Sequence, residues 1–190
     1  VSGVSLLNKE IKQKTIFNIL SKPVYRWQFI LGKHIGLSFT VCSLVTLMGI
    51  ALIIFVALFE GRVDLLLLQA IFFILLEMIV ISAVTIFFSA VVITITLTAI
   101  FTLATYIAGR SIDYLNYFVQ EGSSNPALVT VVTGLDWILP DLSIFNVGDS
   151  IIYGTAPDIT HMLVSVAYCL CYSAALIIFA TIVFDRRELV

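Results

Sequence analysis

From Val63 to Gly109 the chain carries no charged residue except Asp64 and Glu77. Drawn as one straight helix, this stretch would be about 70 Å long. That is more than twice the ~30 Å hydrocarbon core of a bilayer, so it has to fold back on itself. A soluble domain cannot be built around such a run. Charged residues make up 12% of the chain and hydrophobic residues 61%, whereas soluble domains carry about 25% charge. With a mean hydropathy of +1.12, the chain reads as a polytopic helical membrane protein. The turn is expected near Phe88-Ser89-Ala90, which gives spans of Leu65–Phe87 and Val91–Gly109. Within the second, VITITLT alternates with the period of a strand. An open strand in lipid leaves its backbone groups unpaired, so a helix is expected there too.

Two further spans flank this pair, Ile35–Phe59 before the turn Glu60-Gly61-Arg62 and His161–Phe184 near the end. The expected fold class is therefore all-α, a transmembrane bundle of four complete spans. Its sections are residues 1–34 (the end of a truncated span and a basic segment), 35–110 (three spans), 111–160 (a long loop) and 161–190 (the last span and tail). Lys9, Lys12, Lys14, Lys22, Arg26 and Lys33 precede the first span, and Arg186 and Arg187 follow the last. Four crossings return both groups to one side, leaving only Arg62 and Arg110 opposite, so the basic side is expected to be cytoplasmic. The acids Glu60, Asp64, Asp113, Glu121, Asp136, Asp141, Asp149 and Asp158 fall on the outer side. In the outer loop, Ile112, Leu115, Phe118 and Val119 have the spacing of a helix lying on the membrane surface. Gly122-Ser-Ser-Asn-Pro126 would break it, and a second short helix, Ala127 to Ile138, would carry Trp137 at the interface. Leu139-Pro-Asp-Leu-Ser-Ile-Phe-Asn146 then reads as a surface loop tied by Asp141 and Asn146 to its own backbone.

The basic segment Glu10–Lys33 has more pattern than a topology signal needs. Ile16, Phe17 and Leu20 fall at helical spacing, with Lys12 and Lys14 one turn earlier, which describes an interfacial helix. Ser21 is placed to cap a second helix whose first turn accepts Pro23. Tyr25, Arg26 and Trp27 mark a membrane–water boundary. A Glu, then Thr-Ile, then Leu-Ser-Lys-Pro-Val-x-Arg, then Gly-Lys before a span resembles the cytoplasmic coupling segment of type 2 ABC transporter permeases. The similarity is greatest to the branch of gliding-motility and nitrous-oxide-reductase maturation permeases. The Leu-Pro-Asp-Leu-x-x-Phe-Asn stretch and the Phe-Asp-Arg-Arg-Glu-Leu ending resemble elements of the same family.

That resemblance implies a membrane subunit of an exporter in the bacterial cytoplasmic (inner) membrane, with its C-terminus inside. It implies a homodimer or heterodimer with a second permease, and a separate ABC ATPase subunit that holds the ATP and Mg. On it, Glu10, Lys14, Ile16, Phe17, Leu20, Lys22, Pro23 and Arg26 would contact the ATPase. The family has six spans, so the apolar opening Val1–Leu7 reads as the cytoplasmic end of an earlier one, in a chain that is incomplete at its N-terminus. The alternative for the basic segment is a positive flank that only sets topology.

Inside the spans, Glu77 and a hydroxyl stripe stand out. Thr94, Thr98, Thr102 and Thr105 share one helix face, suited either to helix packing or to a substrate-facing wall. A charged carboxylate at mid-span costs about 2.5–3.5 kcal/mol, so Glu77 is expected to be neutral, paired or facing water. No Lys or Arg lies in any expected span, so its expected partners are Ser82, Thr85 or the threonines, in a structural or a cavity-lining role. His34 and His161, at span ends, are expected to be interfacial. Cys169 and Cys171 point to nearly opposite helix faces, and all three cysteines, with Cys42, read as packing residues rather than a disulfide or metal site.

No phosphate-loop, His-Glu-x-x-His or Gly-x-Ser-x-Gly pattern occurs, so no catalytic residue, metal or cofactor is expected in this chain, and nothing suggests nucleic acid. The leading reading is the permease of an ATP-driven transporter. The alternative is a secondary transporter or a structural membrane protein without an ATPase. A carrier coupled to protons would need more titratable groups in its spans than Glu77. The charge pattern yields a direct test of topology. Cysteines placed at Gln13 and at Ser124, in a background lacking the three natural ones, should label from opposite sides of the membrane. Labelling of both from one side would overturn the four-span topology.

Overall fold

The computed structural model describes residues 25–61, 65–92, 94–122, 129–130, 134, 139–148 and 157–185. Four long helices carry the structure: α1 (Arg26–Glu60), α2 (Leu65–Val91), α3 (Ile95–Gly122) and α4 (Ile159–Asp185), with a 3₁₀ turn at Ser143–Phe145 before α4. Each is long and apolar enough to cross a membrane, α3 through its Ile95–Ile112 portion. No strand occurs among the described residues. The all-α bundle of four spans is therefore the fold, for the reason that made it expected: a helix satisfies its own backbone without water.

α1 begins later than a Ser21 cap would place it. Tyr25 is its N-cap residue, and the Tyr25 N–H donates to the Gln28 side chain at 3.2 Å. The helix then runs 35 residues, about 52 Å, and Gly61 ends it. There φ is +69° and the N–H returns to the Ala57 carbonyl at 3.0 Å, a left-handed stop that glycine adopts without steric cost. From this turn α2 runs back along α1. Ser38 Oγ meets Ser82 Oγ at 2.6 Å, and Gly49 lies against Ile71. Both pairs are centred on residue 60, as an antiparallel hairpin requires. His34 corrects the expectation of an interfacial site. It is buried between α1 and α2, with Nδ1 3.2 Å from Ser82 Oγ.

The α2–α3 turn also falls later than Phe88-Ser89-Ala90. α2 continues to Val91, because Ser89 and Ala90 are buried and Ala90 packs in a cluster with Ile30, Ile86, Ala180 and Phe184. Nothing in residues 88–90 stops a helix. From Val91 to Thr96 every residue is β-branched, and such stiff side chains lower helix propensity. α3 starts at Ile95 and does not end at Gly109. It is continuous to Gly122, so the residues expected to form a separate surface helix from Ile112 prolong the same helix beyond its apolar portion. The second expected helix, Ala127 to Ile138, lies mostly outside the described residues.

α2 is the central helix, touching α1, α3 and α4. α4 lies beside it along its length. Ser165, Cys169, Ser173 and Ala180 on α4 are all buried, and three of them repeat every four residues, so small side chains let the two backbones approach. Cys169 Sγ reaches the Leu76 carbonyl at 3.5 Å, while Cys171 is exposed, on opposite faces as expected. At one end of the bundle Arg26 meets Asp185, 3.5 Å to the carboxylate and 3.1 Å to the carbonyl, with Phe29 stacked on Phe184 beside them. The start of α1 and the end of α4 therefore share an end, called here the inner end, and Gly61 marks the outer one. The α1–α2 register can be tested by cross-linking. Ser38→Cys with Ser82→Cys, in a background free of the natural cysteines, should form a disulfide under a membrane-permeant oxidant. Thr40→Cys, on the exposed side of α1, should not bond to Ser82→Cys.

Candidate functional site

Glu77 sits at the middle of α2, and the hairpin turn decides what it meets. Measured from that turn, Glu77 and Arg110 are each roughly 21–23 Å along their helices. They face one another, Arg110 Nη1 lying 3.3 Å from Glu77 Oε1. This corrects the expectation that Glu77 has no basic partner in the chain. Placing the turn at residues 88–90 offset the two by more than two helical turns and left Arg110 beyond the end of its span. With the turn at 92–94, they fall level.

The two partners are unequally placed. The Glu77 side chain is 2% exposed and that of Arg110 41%. Arg110 Nη1 donates a hydrogen bond to the Tyr106 hydroxyl at 2.9 Å, one helical turn back, and the guanidinium lies 6.0 Å from the Tyr106 ring centre. Glu77 Oε1, by contrast, has no aligned hydrogen-bond donor. The contact with Arg110 is thus an ion pair by distance rather than a directed hydrogen bond, and the better-formed bond of Arg110 is the one to Tyr106.

The Leu139–Asn146 stretch crosses α3 as a strap at Gly109, next to Arg110. Its two local ties form as expected: Asp141 Oδ1 accepts from the Ser143 N–H at 3.0 Å and from the Ser143 hydroxyl, and Asn146 Oδ1 accepts from the Gly148 N–H at 3.3 Å. It is more than a surface loop, however. Pro140, Leu142, Phe145 and Val147 are buried. The last three join Ala70, Phe73, Leu76, Val80 and Cys169 in the outer core, with Tyr106 and Tyr168 against them. The Asp141 N–H donates to the Tyr168 hydroxyl at 2.8 Å, and the Leu142 N–H donates to the Gly109 carbonyl at 3.2 Å. Gly109 has to be glycine here, since a Cβ would run into the Pro140 carbonyl oxygen and stand 3.2 Å from Leu142.

The other sequence candidates are dispersed. Thr98 is fully buried, Thr105 is buried, Thr102 is half-buried and Thr94 is exposed just ahead of α3. The Thr98 and Thr102 hydroxyls donate to the carbonyls one turn back, at 3.1 and 2.8 Å. Their hydroxyls are satisfied within their own helix, and none is bonded to Glu77. Arg26 opens α1 at the inner end. Glu10, Lys14, Ile16, Phe17, Leu20, Lys22 and Pro23 lie outside the described residues. Reading the sequence missed Arg110, Tyr106, Gly109 and the Ser82–His34 contact. The signal for Arg110 was its spacing from Glu77 about the break between α2 and α3.

A family model described as ABC-2 family transporter protein matches residues 1–189, taking in all four helices and the strap. No curated protein and no solved structure matches the chain.

The unequal burial of the ion pair predicts unequal mutants. Arg110→Ala strands a buried carboxylate and should lower thermal stability in detergent by about 3 kcal/mol, the lower end of the cost of breaking a buried pair. Glu77→Gln leaves a partly exposed arginine that keeps its bond to Tyr106, and should cost less than about 1 kcal/mol. The double variant should recover most of the Arg110→Ala loss. Equal losses from the two single variants, adding in the double, would show that the pair is not coupled.

Proposed function

The chain belongs to the ABC-2 family of transporter proteins, and we propose that it is the permease of an ATP-driven exporter, paired with a second permease and driven by a separate ATPase subunit. Membership makes it a membrane subunit of an ABC transporter. The match over nearly the whole chain is the observation that carries the proposal, and the four apolar helices fit it. Export from a bacterial cell, across its cytoplasmic membrane and with the basic segment before α1 and the C-terminus on the cytoplasmic side, is the direction we favour. The cytoplasmic placing of both follows from the concentration of Lys and Arg before α1 and after α4.

In this reading Glu10, Lys14, Ile16, Phe17, Leu20, Lys22, Pro23 and Arg26 dock on the ATPase, which supplies ATP and Mg. Arg26 is the point where that contact would enter the bundle. It is the first residue of α1, a single helix of 35 residues, and it is tied to the last residue of α4. A displacement of the segment before it would therefore act on α1 directly and on α4 through Asp185. The two helices would move as rigid bodies rather than bend. The substrate pathway would open on the far side of this lever, between the two permeases.

Phe17 is where the proposal is tested. An apolar centre provides most of the binding at such a contact, while rim charges steer approach. Phe17→Asp would bury a charge without a partner. It should abolish co-purification of the ATPase and the stimulation of its activity, at unchanged membrane abundance. Lys14→Ala should do far less, within about 1 kcal/mol for an exposed charge. Undiminished co-purification and stimulation with Phe17→Asp would leave the segment as a topology signal only.

A further inference from the structure

α3 is the least anchored of the four helices. It packs on α2 and on the 3₁₀ turn of the strap, and scarcely touches α4. At its middle, level with Glu77, two contacts restrain it, and they involve adjacent residues. Gly109 accepts the Leu142 N–H at 3.2 Å, and Arg110 reaches Glu77 at 3.3 Å. The strap itself is seated firmly on the other helices, through Leu142, Phe145 and Val147 in the outer core and through the Asp141 N–H bond to Tyr168. The ion pair is held loosely, since Glu77 Oε1 has no aligned donor and Arg110 keeps Tyr106 as a second partner.

We propose that the Pro140–Val147 strap is a latch on the outer end of the bundle. Seated on the bare Cα of Gly109, it holds the outer half of α3 against α2 and keeps Arg110 over Glu77. Lifted, it lets α3 swing away and breaks the pair. Arg110 is already 41% exposed and stays bonded to Tyr106 on its own helix, so it moves with α3, while Glu77 stays with α2. An outward movement of α3 thus separates the charges without stranding the arginine. The latch lies at the opposite end of the bundle from Arg26 and Asp185, and it rests on contacts within this chain alone, whatever drives the inner end.

Two elements that hold each other shut must be coupled reciprocally: loosening either loosens the other. Hydrogen–deuterium exchange of the full-length protein in lipid nanodiscs reads both sides. Arg110→Gln, which leaves the hydrogen bonds of the strap to Gly109 and Tyr168 in place, should speed exchange across residues 139–147 about tenfold. Leu142→Ala should speed exchange across residues 107–112 by a similar factor, without affecting the inner half of α1. If Leu142→Ala proves too unstable to prepare, Tyr168→Phe removes the acceptor of the Asp141 N–H while keeping the ring, and should act in the same direction more weakly. An Arg110→Gln protein whose strap keeps its original protection would overturn the latch. So would a strap variant that loosens only residues 139–147.

Discussion

Helices in a bilayer gain nothing by hiding apolar surface from one another, since lipid tails are as apolar as leucine, so their contact has to come from close fit. In this chain the closest fit is that of α4 on α2. Ser165, Cys169, Ser173 and Ala180 are small and buried, and the Cys169 sulfur touches a main-chain carbonyl of α2. Because α4 comes so near, α2 is enclosed on that side and becomes the axis of the bundle. α1 and α3 are then added to its remaining faces, α1 by a hairpin at Gly61 and α3 by the turn after Val91. Both hairpins inherit their register from α2, and that register brings Ser38 to Ser82 and Arg110 to Glu77.

Enclosing α2 also decides where polar groups can be tolerated. Two polar contacts on it lie at different depths and face different neighbours. Toward α1, the Ser82 hydroxyl lies within hydrogen-bond distance of Ser38 and of the His34 ring. Toward α3, Glu77 is paired with Arg110. Each contact adds direction to a seam that close fit alone would leave free to slide. The long apolar face of α1, with Phe39, Leu47, Met48, Leu58 and Phe59 exposed, carries no such device and meets lipid or another chain. The bundle is therefore specified on the faces of α2 and plain on the outer face of α1.

Much of this could be read directly from the residues. Four apolar runs, with Glu77 as their only internal charge, specify four helices in any solvent that lacks water. Gly61 was legible as a turn, and the Asp141 and Asn146 ties were legible because such side chains bond within two residues of themselves. The family was legible as well, in the order of short patterns along the basic segment and before α4. Helix ends were harder. Gly122 was legible as a break, but Tyr25 and Val91 were not legible as ends, and a boundary moved by four residues was enough to separate Glu77 from Arg110.

Sequence by itself determined the fold class, the number of apolar helices and the sharing of one end of the bundle by the start of α1 and the end of α4. These depend on run lengths and on an even number of passes, which no packing can alter. Tertiary structure decided the partner of Glu77, the burial of His34 and the seating of the strap. Each of these joins residues on different elements, and hydropathy carries no information about which faces of two helices meet. The strap shows this most plainly. Leu139 to Asn146 has the composition of a surface loop, and only the small footprint of Gly109 on α3 allows Pro140 and Leu142 to come down into the core.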